Sequence, residues 1–351
     1  MGTPQTPDLA CSKAAAAKVE TISRTEPERV SDLTIVIVNY NTADVALQAI
    51  GSALENTGGL DLEIRIIDND SSDGNLETLR AAHPDLPVIA AGFNGGYAWG
   101  NNIGIAQAKG RHVLILNPDT VLHADTLKTA VAYMDAHPEA GILGARVFLE
   151  DGSEQSSVFR EPSLRRLAWN IFIPNAIARK SWIFGDHRYA SRRRDRVMDV
   201  DIVSGCFMLV PRRVIEEVGP MNDRFFMYSE ESEWCWRVRE AGYAVRYHPD
   251  VTITHIGAVS TGQCSPWKSV EIAKGQILFM RFTRGPFVAR IATELMLAAD
   301  LLRGLIYLPQ MLIPARRDAV AGWRARTGFL LRALFRQPEG QTPPPPDLPA
   351  E

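Results

Sequence analysis

The sequence predicts an α/β protein whose central sheet is mostly parallel and flanked by helices. Over the first half of the chain, apolar β-branched segments alternate with segments of helical spacing. Three of the apolar segments end abruptly in polar residues, beginning at Asn39, Asp68 and Asn117. Because parallel strands bring their carboxyl ends to one edge of a sheet, we expect these polar groups to gather there and form a ligand site.

The elements follow in a regular order. Residues 33–41 are a β-branched run typical of a strand buried on both faces, and the helical segment after it has Thr42 as its expected N-cap. Two more apolar strands are predicted within 63–74 and 111–120, with a Gly- and Asn-rich loop leading into a helix between them. A Rossmann dehydrogenase has the same rhythm but needs GxGxxG directly after the first strand. The sequence there is NYNTAD, which excludes that fold.

The composition of the chain excludes some classes of protein function. The 351 residues are 46% hydrophobic and 23% charged, which is ordinary for a globular protein with a substantial core. The formal net charge of -3 provides no basic field to favour nucleic acid. The four cysteines show no CxxC spacing, so reduced thiols in a cytoplasmic protein are expected. The first twenty residues lack the apolar core of a signal peptide.

Five ordered motifs resemble those of family-2 glycosyltransferases, and most closely those of bacterial rhamnosyltransferases that build cell-surface polysaccharides. They are TIVIVNYN, IIDNDSSDG, FNGGYAWGNNIGIAQAKG, LILNPDT and FFMYSEESEWCWRVREAGY, within residues 32–261. The resemblance implies a GT-A nucleotide-diphospho-sugar transferase fold and inverting hexosyl transfer. It favours dTDP-L-rhamnose as donor and a lipid-linked or polysaccharide glycan as acceptor. A UDP-hexose or UDP-galactofuranose donor, or nucleotide-sugar binding without turnover, are the alternatives.

The chain is accordingly divided into four parts. A disordered leader is expected over 1–31, a GT-A catalytic domain over 32–265, and an amphipathic helical extension over 266–336. A Pro-rich tail over 337–351 is expected to be disordered. Within the catalytic domain, residues 162–197 form a basic and aromatic insertion, interpreted as an acceptor-site cover, a membrane contact or a solvated loop.

The resemblance places the donor at the strand ends and the glycine loop. Asp68 would contact the nucleobase, since a carboxylate can read the imide edge of uracil or thymine. The glycines would let the backbone approach the nucleotide sugar, because they carry no Cβ. Asn101 and Asn102 are expected at the following helix start, where an amide can cap the helix or bind sugar. The predicted nucleotide-sugar-binding residues are Tyr40, Asn41, Asp68, Asn94, Gly95, Gly96, Asn101, Asn117 and Asp119.

The NPD triplet stands where the family has its metal-binding DxD motif. Asp119 keeps the second carboxylate of that motif, and Asn117 replaces the first. Mg²⁺ or Mn²⁺ is the implied cofactor, because one carboxylate and two diphosphate oxygens can hold such an ion together with water. The resemblance offers His255 as a second ligand, with a structural role as its alternative.

The segment 225–237, FFMYSEESEWCWR, supplies the expected catalytic residues. The resemblance favours Glu231 as the general base, with Glu230 as the alternative. Glu233 is instead expected to pair with Arg237 at the i,i+4 spacing of a helix. The predicted acceptor-site residues are Gly205, Cys206, Tyr228 and Trp234.

The C-terminal extension is strongly apolar, but charged residues and two prolines interrupt any run of membrane-spanning length. An interfacial amphipathic helix is favoured, with Arg316, Arg317, Arg324 and Arg326 near anionic lipid. This predicts a peripheral protein at the inner face of the cell membrane. A homodimer contact or packing onto the catalytic domain is the alternative.

Overall fold

The computed structural model describes residues 30–72, 74–172, 194–256, 265–310, 313 and 316–341. The expected leader up to residue 29, the centre of the basic insertion (173–193) and the tail beyond residue 341 lie outside these ranges.

The strands of the described residues are numbered in chain order. They are β1 (Leu33–Asn39), β2 (Leu62–Asp68), β3 (Val88–Ala90), β4 (His112–Leu116), β5 (Thr120–Leu122), β6 (Ala140–Phe148), β7 (Glu154–Gln155), β8 (Val158–Phe159), β9 (Met198–Asp199), β10 (Ile202–Val203), β11 (Phe207–Pro211) and β12 (Ala244–His255).

The helices of the described residues are numbered in the same way. They are α1 (Ala43–Glu55), α2 (Asn75–Ala82), α3 (Gly96–Ala106), α4 (Thr126–Ala136), α5 (Leu164–Phe172), α6 (Arg212–Val218), α7 (Glu230–Glu240), α8 (Pro266–Arg284), α9 (Pro286–Gln310) and α10 (Arg317–Phe335).

The main sheet has the strand order β3-β2-β1-β4-β11-β6-β12-β5, with β7 on β6 and β9 on β12. The first four strands of this order are parallel to one another, and so are β6 and β12. Strand β11 runs antiparallel to both of its neighbours, and β5 runs antiparallel to β12. The predicted mostly parallel α/β sheet is therefore confirmed, and antiparallel strands complete it.

Side-chain alternation along the strands fills both faces of the sheet. In β1, Ile35 and Ile37 point to the face covered by α1 and α4, whereas Val36 and Val38 belong to the cluster on the α3 side. Every residue of β1 is buried, as expected for a central parallel strand. The polar ends of β1, β2 and β4 therefore emerge from a rigid core.

The first helix begins where the sequence predicts, but Thr42 does not cap it through its side chain. Its hydroxyl donates to Asn39 Oδ1 at 2.9 Å instead. The amide of Ala43 is satisfied from another element, because Asn75 Oδ1 accepts from it at 2.8 Å. The helix start is thus tied to the end of β1 and to α2.

A second layer is formed by α5 and the C-terminal helices. Leu167 of α5 lies in one apolar cluster with residues of α8, α9 and α10, such as Ile277, Met296 and Leu330. The C-terminal extension therefore packs as a helical layer joined to the start of the basic insertion. No described helix is both long enough and apolar enough to cross a membrane.

One arginine assigned to lipid from the sequence has a different role. Arg326 pairs with Asp300, which is fully buried between α9 and α10, and Nε lies 2.8 Å from Oδ2. A buried carboxylate needs such a partner, so Arg326 is held inside the helical layer. Arg316, Arg317 and Arg324 are exposed.

Candidate active site

A cavity of about 570 Å³ opens at the carboxyl ends of β1, β2 and β4. Its lining is Val38, Tyr40, Thr42, Asn69, Asn94, Gly96, Tyr97, Asn117, Pro118, Asp119, Phe226, Met227 and Trp267. The structure thus brings together five of the predicted donor-site residues: Tyr40, Asn94, Gly96, Asn117 and Asp119.

The glycine loop is fixed to the end of β2 by side-chain amides. Asn69 Nδ2 donates to Asn94 Oδ1 at 3.0 Å and to the carbonyl of Gly96 at 3.2 Å. Asn94 Oδ1 also accepts from the amide of Gly96 at 3.1 Å. This network holds the loop in place and leaves its inner surface facing the cavity.

Gly96 must be glycine for two reasons. Its φ of 85° lies in the left-handed region, and an added Cβ would meet the carbonyl oxygen of Phe226 at 2.1 Å. The same carbonyl accepts from the amide of Tyr97 at 2.9 Å. The glycine loop is therefore in direct backbone contact with the segment that leads to Glu230 and Glu231.

Three other predicted donor residues lie beside the cavity without lining it. Asp68 is 2% exposed and accepts from Asn39 Nδ2 at 2.9 Å and from the amide of Ser71 at 3.0 Å, so it organises the turn after β2. Asn41 Oδ1 accepts from the amide of Ser72 at 2.8 Å. Gly95 stands directly before α3. Contact of Asp68 with a nucleobase stays a prediction.

Asn101 and Asn102 lie in the middle of α3, because this helix already begins at Gly96. Asn101 is fully buried and donates to the carbonyl of Tyr97 at 2.9 Å, so the assignment of Asn101 to the donor site is corrected. Asn102 donates to the carbonyl of Met221 at 2.8 Å and accepts from its amide at 3.0 Å. This pair of bonds is structural, and Asn102 is no cap.

Asp119 and His255 meet at the edge of the cavity. Asp119 Oδ1 lies 3.0 Å from His255 Nε2, and Nδ1 of the same ring lies 2.9 Å from Gln155 Oε1. Carboxylate oxygens and imidazole nitrogens both bind divalent ions in proteins, and here one atom of each kind faces the other.

This pair fits a divalent metal that protein and donor hold together. Carboxylate and imidazole are suitable ligands for such ions, and Asn117 lines the same cavity. Within the described ranges, no group of three His, Cys, Asp or Glu side chains converges. The remaining ligands would have to come from the donor diphosphate and water.

The acidic segment enters its helix through a tight turn. Tyr228 and Ser229 have φ values of 69° and 77°, and α7 begins at the next residue. Both residues occupy the left-handed region, which is costly for side chains other than glycine and occurs often at functional sites. An added Cβ on Gly275 of α8 would lie 2.4 Å from the carbonyl of Tyr228. Close packing of α8 thus supports the turn.

Glu230 and Glu231 form an interacting pair of carboxyl groups, of which Glu230 is buried and Glu231 is half-buried. Glu230 is 4% exposed, and its Oε2 has no hydrogen-bond partner among the described residues. Burial raises the pKa of Glu230 well above its ordinary value, and the charge of Glu231 adds to this effect. Burial also raises the pKa of Glu231, whose Oε1 accepts from Ser232 Oγ at 3.1 Å.

Tyr97 connects this acidic pair with the cavity. Its side chain lines the cavity, and its hydroxyl donates to the carbonyl of Gly205 at 2.6 Å. Burial raises the pKa of Tyr97 well above its ordinary value, with further contributions from the charges of Glu230 and Glu231. The acidic pair therefore lies close behind the cavity wall.

Glu233 has the structural role that its spacing predicts. Arg237 Nε lies 2.9 Å and 3.0 Å from the two carboxylate oxygens of Glu233. The same guanidinium donates to the carbonyls of Val218 and Pro220, each at 2.7 Å. The predicted i,i+4 ion pair is confirmed, and it anchors α7 to the end of α6.

The predicted acceptor residues separate into two groups. Trp234 is fully buried and donates to the carbonyl of Gly219 at 3.0 Å, which places it in the core and corrects its assignment to an acceptor wall. Cys206 is 4% exposed, and burial raises its pKa to about 11, so it behaves as a buried thiol. Tyr228 is half-buried, and Gly205 contacts the site through Tyr97.

Sequence reasoning missed part of the cavity lining. Trp267, at the start of α8, is 49% exposed and meets Phe226 edge-on with ring centroids 6.2 Å apart. An exposed tryptophan that lines a cavity is a suitable surface for a sugar ring. The only local signal was an aromatic residue directly after Pro266 at a predicted helix start.

A family of known proteins matches this chain. The model of the family described as glycosyl transferase family 2 matches residues 34–219. The matched region contains the strand ends and the glycine loop and ends before the acidic segment.

Two similar proteins have described activities. An N-acetylglucosaminyl-diphospho-decaprenol L-rhamnosyltransferase from Mycobacterium tuberculosis is 26% identical over 66% of this chain and 78% of its own length. A dTDP-rhamnosyl transferase from Shigella flexneri is 25% identical over 74% of this chain and 84% of its own length.

A solved structure supports the fold. A mannosyltransferase from Pyrobaculum calidifontis, in complex with GDP-Man and Mn²⁺, aligns with a TM-score of 0.53 at 18% identity. The alignment covers 89% of this chain and 88% of that one. At this identity the likeness concerns the fold alone.

Proposed function

Because the chain belongs to glycosyl transferase family 2, we propose that it is an inverting hexosyltransferase that uses a nucleotide-sugar donor. L-Rhamnose from dTDP-L-rhamnose is the favoured sugar, in line with the two rhamnosyltransferases that the chain resembles. A lipid-linked or polysaccharide glycan is the proposed acceptor. A UDP-hexose or UDP-galactofuranose donor is the alternative.

The observation that carries this proposal is the acidic pair behind Tyr97. An enzyme that activates a sugar hydroxyl needs a base beside the donor pocket, with a pKa near the working pH. Glu231 is the favoured base, because burial raises its pKa in the required direction and its charge acts on Tyr97 of the cavity wall. It is proposed to take the acceptor proton as that oxygen attacks the anomeric carbon from the face opposite the leaving group.

The donor would enter along the strand ends. Tyr40 and Asn69 line the part of the cavity nearest β1 and β2, where a nucleoside is expected, and Asp119 lines the side where a diphosphate would lie. Trp267 and Phe226 form an aromatic wall for the sugar rings. This wall would also exclude water from the reacting atoms.

Asp119 and His255 would hold the metal if one is bound. A divalent ion would neutralise the charge that accumulates on the leaving nucleoside diphosphate. The protein's contribution is the fixed orientation of both side chains, since Gln155 holds the imidazole of His255 from its other nitrogen.

A donor screen tests the proposal. Purified full-length protein is titrated calorimetrically with dTDP-L-rhamnose, UDP-glucose, UDP-galactofuranose and GDP-mannose in the presence of Mn²⁺. We expect binding of dTDP-L-rhamnose to be at least tenfold tighter than that of the other three. Tight binding without any transfer or hydrolysis would identify a nucleotide-sugar-binding protein, and binding of none would contradict the proposal.

The proposed location is the inner face of the cell membrane. Leu301, Leu302 and Leu305 are 55%, 47% and 69% exposed near the end of α9, and Arg316 and Arg317 are exposed shortly after it. Exposed apolar side chains and exposed arginines within one short part of the chain suit an anionic lipid surface, where a polyprenyl-linked acceptor would reside. A second copy of the chain is the alternative occupant.

Vesicle flotation distinguishes the two occupants. The Leu301→Ser/Leu305→Ser variant should lose flotation with vesicles that contain phosphatidylglycerol, whereas Leu54→Ser, an exposed leucine on α1, should not. Unchanged flotation would refute the membrane contact. A wild-type dimer that the double variant converts to monomer would assign this face to self-association.

A further inference from the structure

After α10, the chain returns to the candidate active site. Residues 337–341, expected to begin a disordered tail, have specific contacts with the segment that precedes α7. The amide of Gln341 donates to the carbonyl of Arg224 at 2.9 Å, and the guanidinium of Arg224 donates to the carbonyl of Glu339. An added Cβ on Gly340 would lie 2.8 Å from the carbonyl oxygen of Arg224.

The side chain of Gln341 joins two loops of the candidate site. Its Nε2 lies 2.5 Å from the carbonyl oxygen of Gly95 in the glycine loop. The same nitrogen lies 2.9 Å from the carbonyl of Asp223 and 3.4 Å from that of Phe225. Carbonyl oxygens only accept hydrogen bonds, so the amino end of the side chain must face them.

The two loops carry different parts of the site. Gly95 is next to Gly96 and Phe225 is next to Phe226, and both Gly96 and Phe226 line the cavity. Between the loops, the amide of Tyr97 donates to the carbonyl of Phe226. A donor that bonds to both loops therefore controls the spacing between the cavity and the segment that leads to Glu230 and Glu231.

We propose that Gln341 is a positioning residue that fastens the glycine loop to the loop before the acidic pair. It touches neither the cavity nor a carboxylate, and it acts through the backbone carbonyls of Gly95, Asp223 and Phe225. The residues that follow the helical extension thereby become part of the candidate site. The expected effect of Gln341 on the reaction rate rests on the proposed glycosyl transfer. Its role in holding the two loops together does not depend on that proposal.

Hydrogen exchange of the free full-length protein tests the fastening without any ligand. Gln341→Glu keeps the shape of the side chain but replaces the donor by acceptors that face three carbonyls, and Gln341→Met removes the donor alone. Both variants should accelerate exchange of the Tyr97 amide about three- to tenfold, because local opening becomes easier. The amide of Val36 in β1 should keep its wild-type rate, as should every amide in the control Gln48→Ala on the exposed side of α1.

Gln341→Lys separates hydrogen-bond donation from packing. Its ammonium group supplies donors with similar reach, so exchange of the Tyr97 amide should stay within about twofold of wild type. If the Tyr97 amide exchanged at the wild-type rate in both Gln341→Glu and Gln341→Met, the proposal would be overturned. Acceleration in the Lys variant equal to that in the Met variant would also overturn it, because donation would then not be the relevant property.

Kinetics with dTDP-L-rhamnose then measure the consequence for the reaction. We expect Gln341→Glu to lower kcat about tenfold with a melting temperature equal to wild type, and Gln341→Lys to recover most of the rate. A rate equal to wild type in Gln341→Glu, despite faster exchange at Tyr97, would overturn the positioning role. Absence of turnover in the wild type would instead refute the proposed function and leave the exchange result standing.

Discussion

Asp119 Oδ1 and His255 Nε2 lie 3.0 Å apart although 136 residues separate them in the chain. The contact depends on strand pairing, because β12 places His255 opposite Thr120 of β5. The amide of Ile256 also donates to the carbonyl of Asp119 at 2.8 Å. Backbone bonds on both sides therefore fix the pair before any ion arrives.

Removal of the imidazole should weaken the affinity of this pair for a divalent metal. In His255→Ala, we expect the Mn²⁺ concentration for half-maximal transfer to rise about 10- to 100-fold, because one of two protein ligands is lost. A Mn²⁺ titration of the initial rate measures this change. His83→Ala, at the end of α2, serves as the imidazole control. Transfer that is insensitive to both EDTA and the variant would exclude a metal role for Asp119 and His255.

Neutralisation of Glu231 should abolish turnover but not donor binding. Glu231→Gln keeps the size of the side chain and removes the basic oxygen, so kcat should fall about 10²- to 10⁴-fold. Donor affinity, measured by calorimetry, should stay within about twofold of wild type. Glu216→Gln, exposed on α6, is the matched control. A larger loss in Glu230→Gln than in Glu231→Gln would transfer the role of base to Glu230.

In the pH profile of kcat/KM, the apparent pKa of the acidic limb should lie above the ordinary pKa of a glutamate. The base works only when deprotonated, and burial raises the pKa of both carboxyl groups from 4.5. We therefore expect kcat/KM to increase with pH through this raised pKa and to reach its plateau only above it. Profiles of kcat/KM against pH, measured at constant ionic strength, report this pKa. A plateau that already begins at pH 5 would contradict a buried base.

Glu230 should make the protein less stable as the pH rises. Its native pKa is raised, so the native state binds the proton more tightly than the unfolded chain does. The resulting contribution is fully present below the unfolded pKa and is lost as the pH rises through the native pKa. Glu230→Gln should thus melt about 2–4 °C above wild type at pH 8. The difference should shrink toward pH 4, and an identical difference at both pH values would contradict this linkage.

Loss of Arg237 should destabilise the fold through Glu233. The carboxylate of Glu233 is 5% exposed and would remain buried without its partner. Urea unfolding of Arg237→Met should show a loss of about 3–5 kcal/mol. The double variant Glu233→Gln/Arg237→Met should recover part of it, because no unpaired charge is left. A loss below about 1 kcal/mol in the single variant would place the pair among weak surface bridges.

Site residues are predicted best from the sequence where a local pattern determines their position in the fold. The strand ends that carry Tyr40, Asn117 and Asp119 follow from apolar runs that stop abruptly, and parallel pairing gathers them. Asn94 and Gly96 follow from the glycine loop between strands. The pair Glu233–Arg237 follows from helical spacing alone.

Prediction fails where tertiary packing decides. Trp234 follows Glu230 by one helical turn and shares its buried face, which residue type alone does not reveal. Asn101 is inside α3 because the helix starts at Gly96 without a side-chain cap. Trp267 reaches the site from the start of the helical extension and Gln341 from the residues that follow it, so only long-range folding brings them there.

The position of β5 determines which parts of the sheet can form while the chain is being synthesised. Among the described residues, β5 pairs only with β12, which ends at His255. The segment 120–122 therefore leaves the ribosome long before its partner strand exists. The parallel strands β1 to β4 can pair early, but Asp119 meets His255 only when β12 has taken its place between β6 and β5. A nascent chain halted before residue 244 would lack the strand that pairs with β5, as well as His255 and Trp267 of the candidate site.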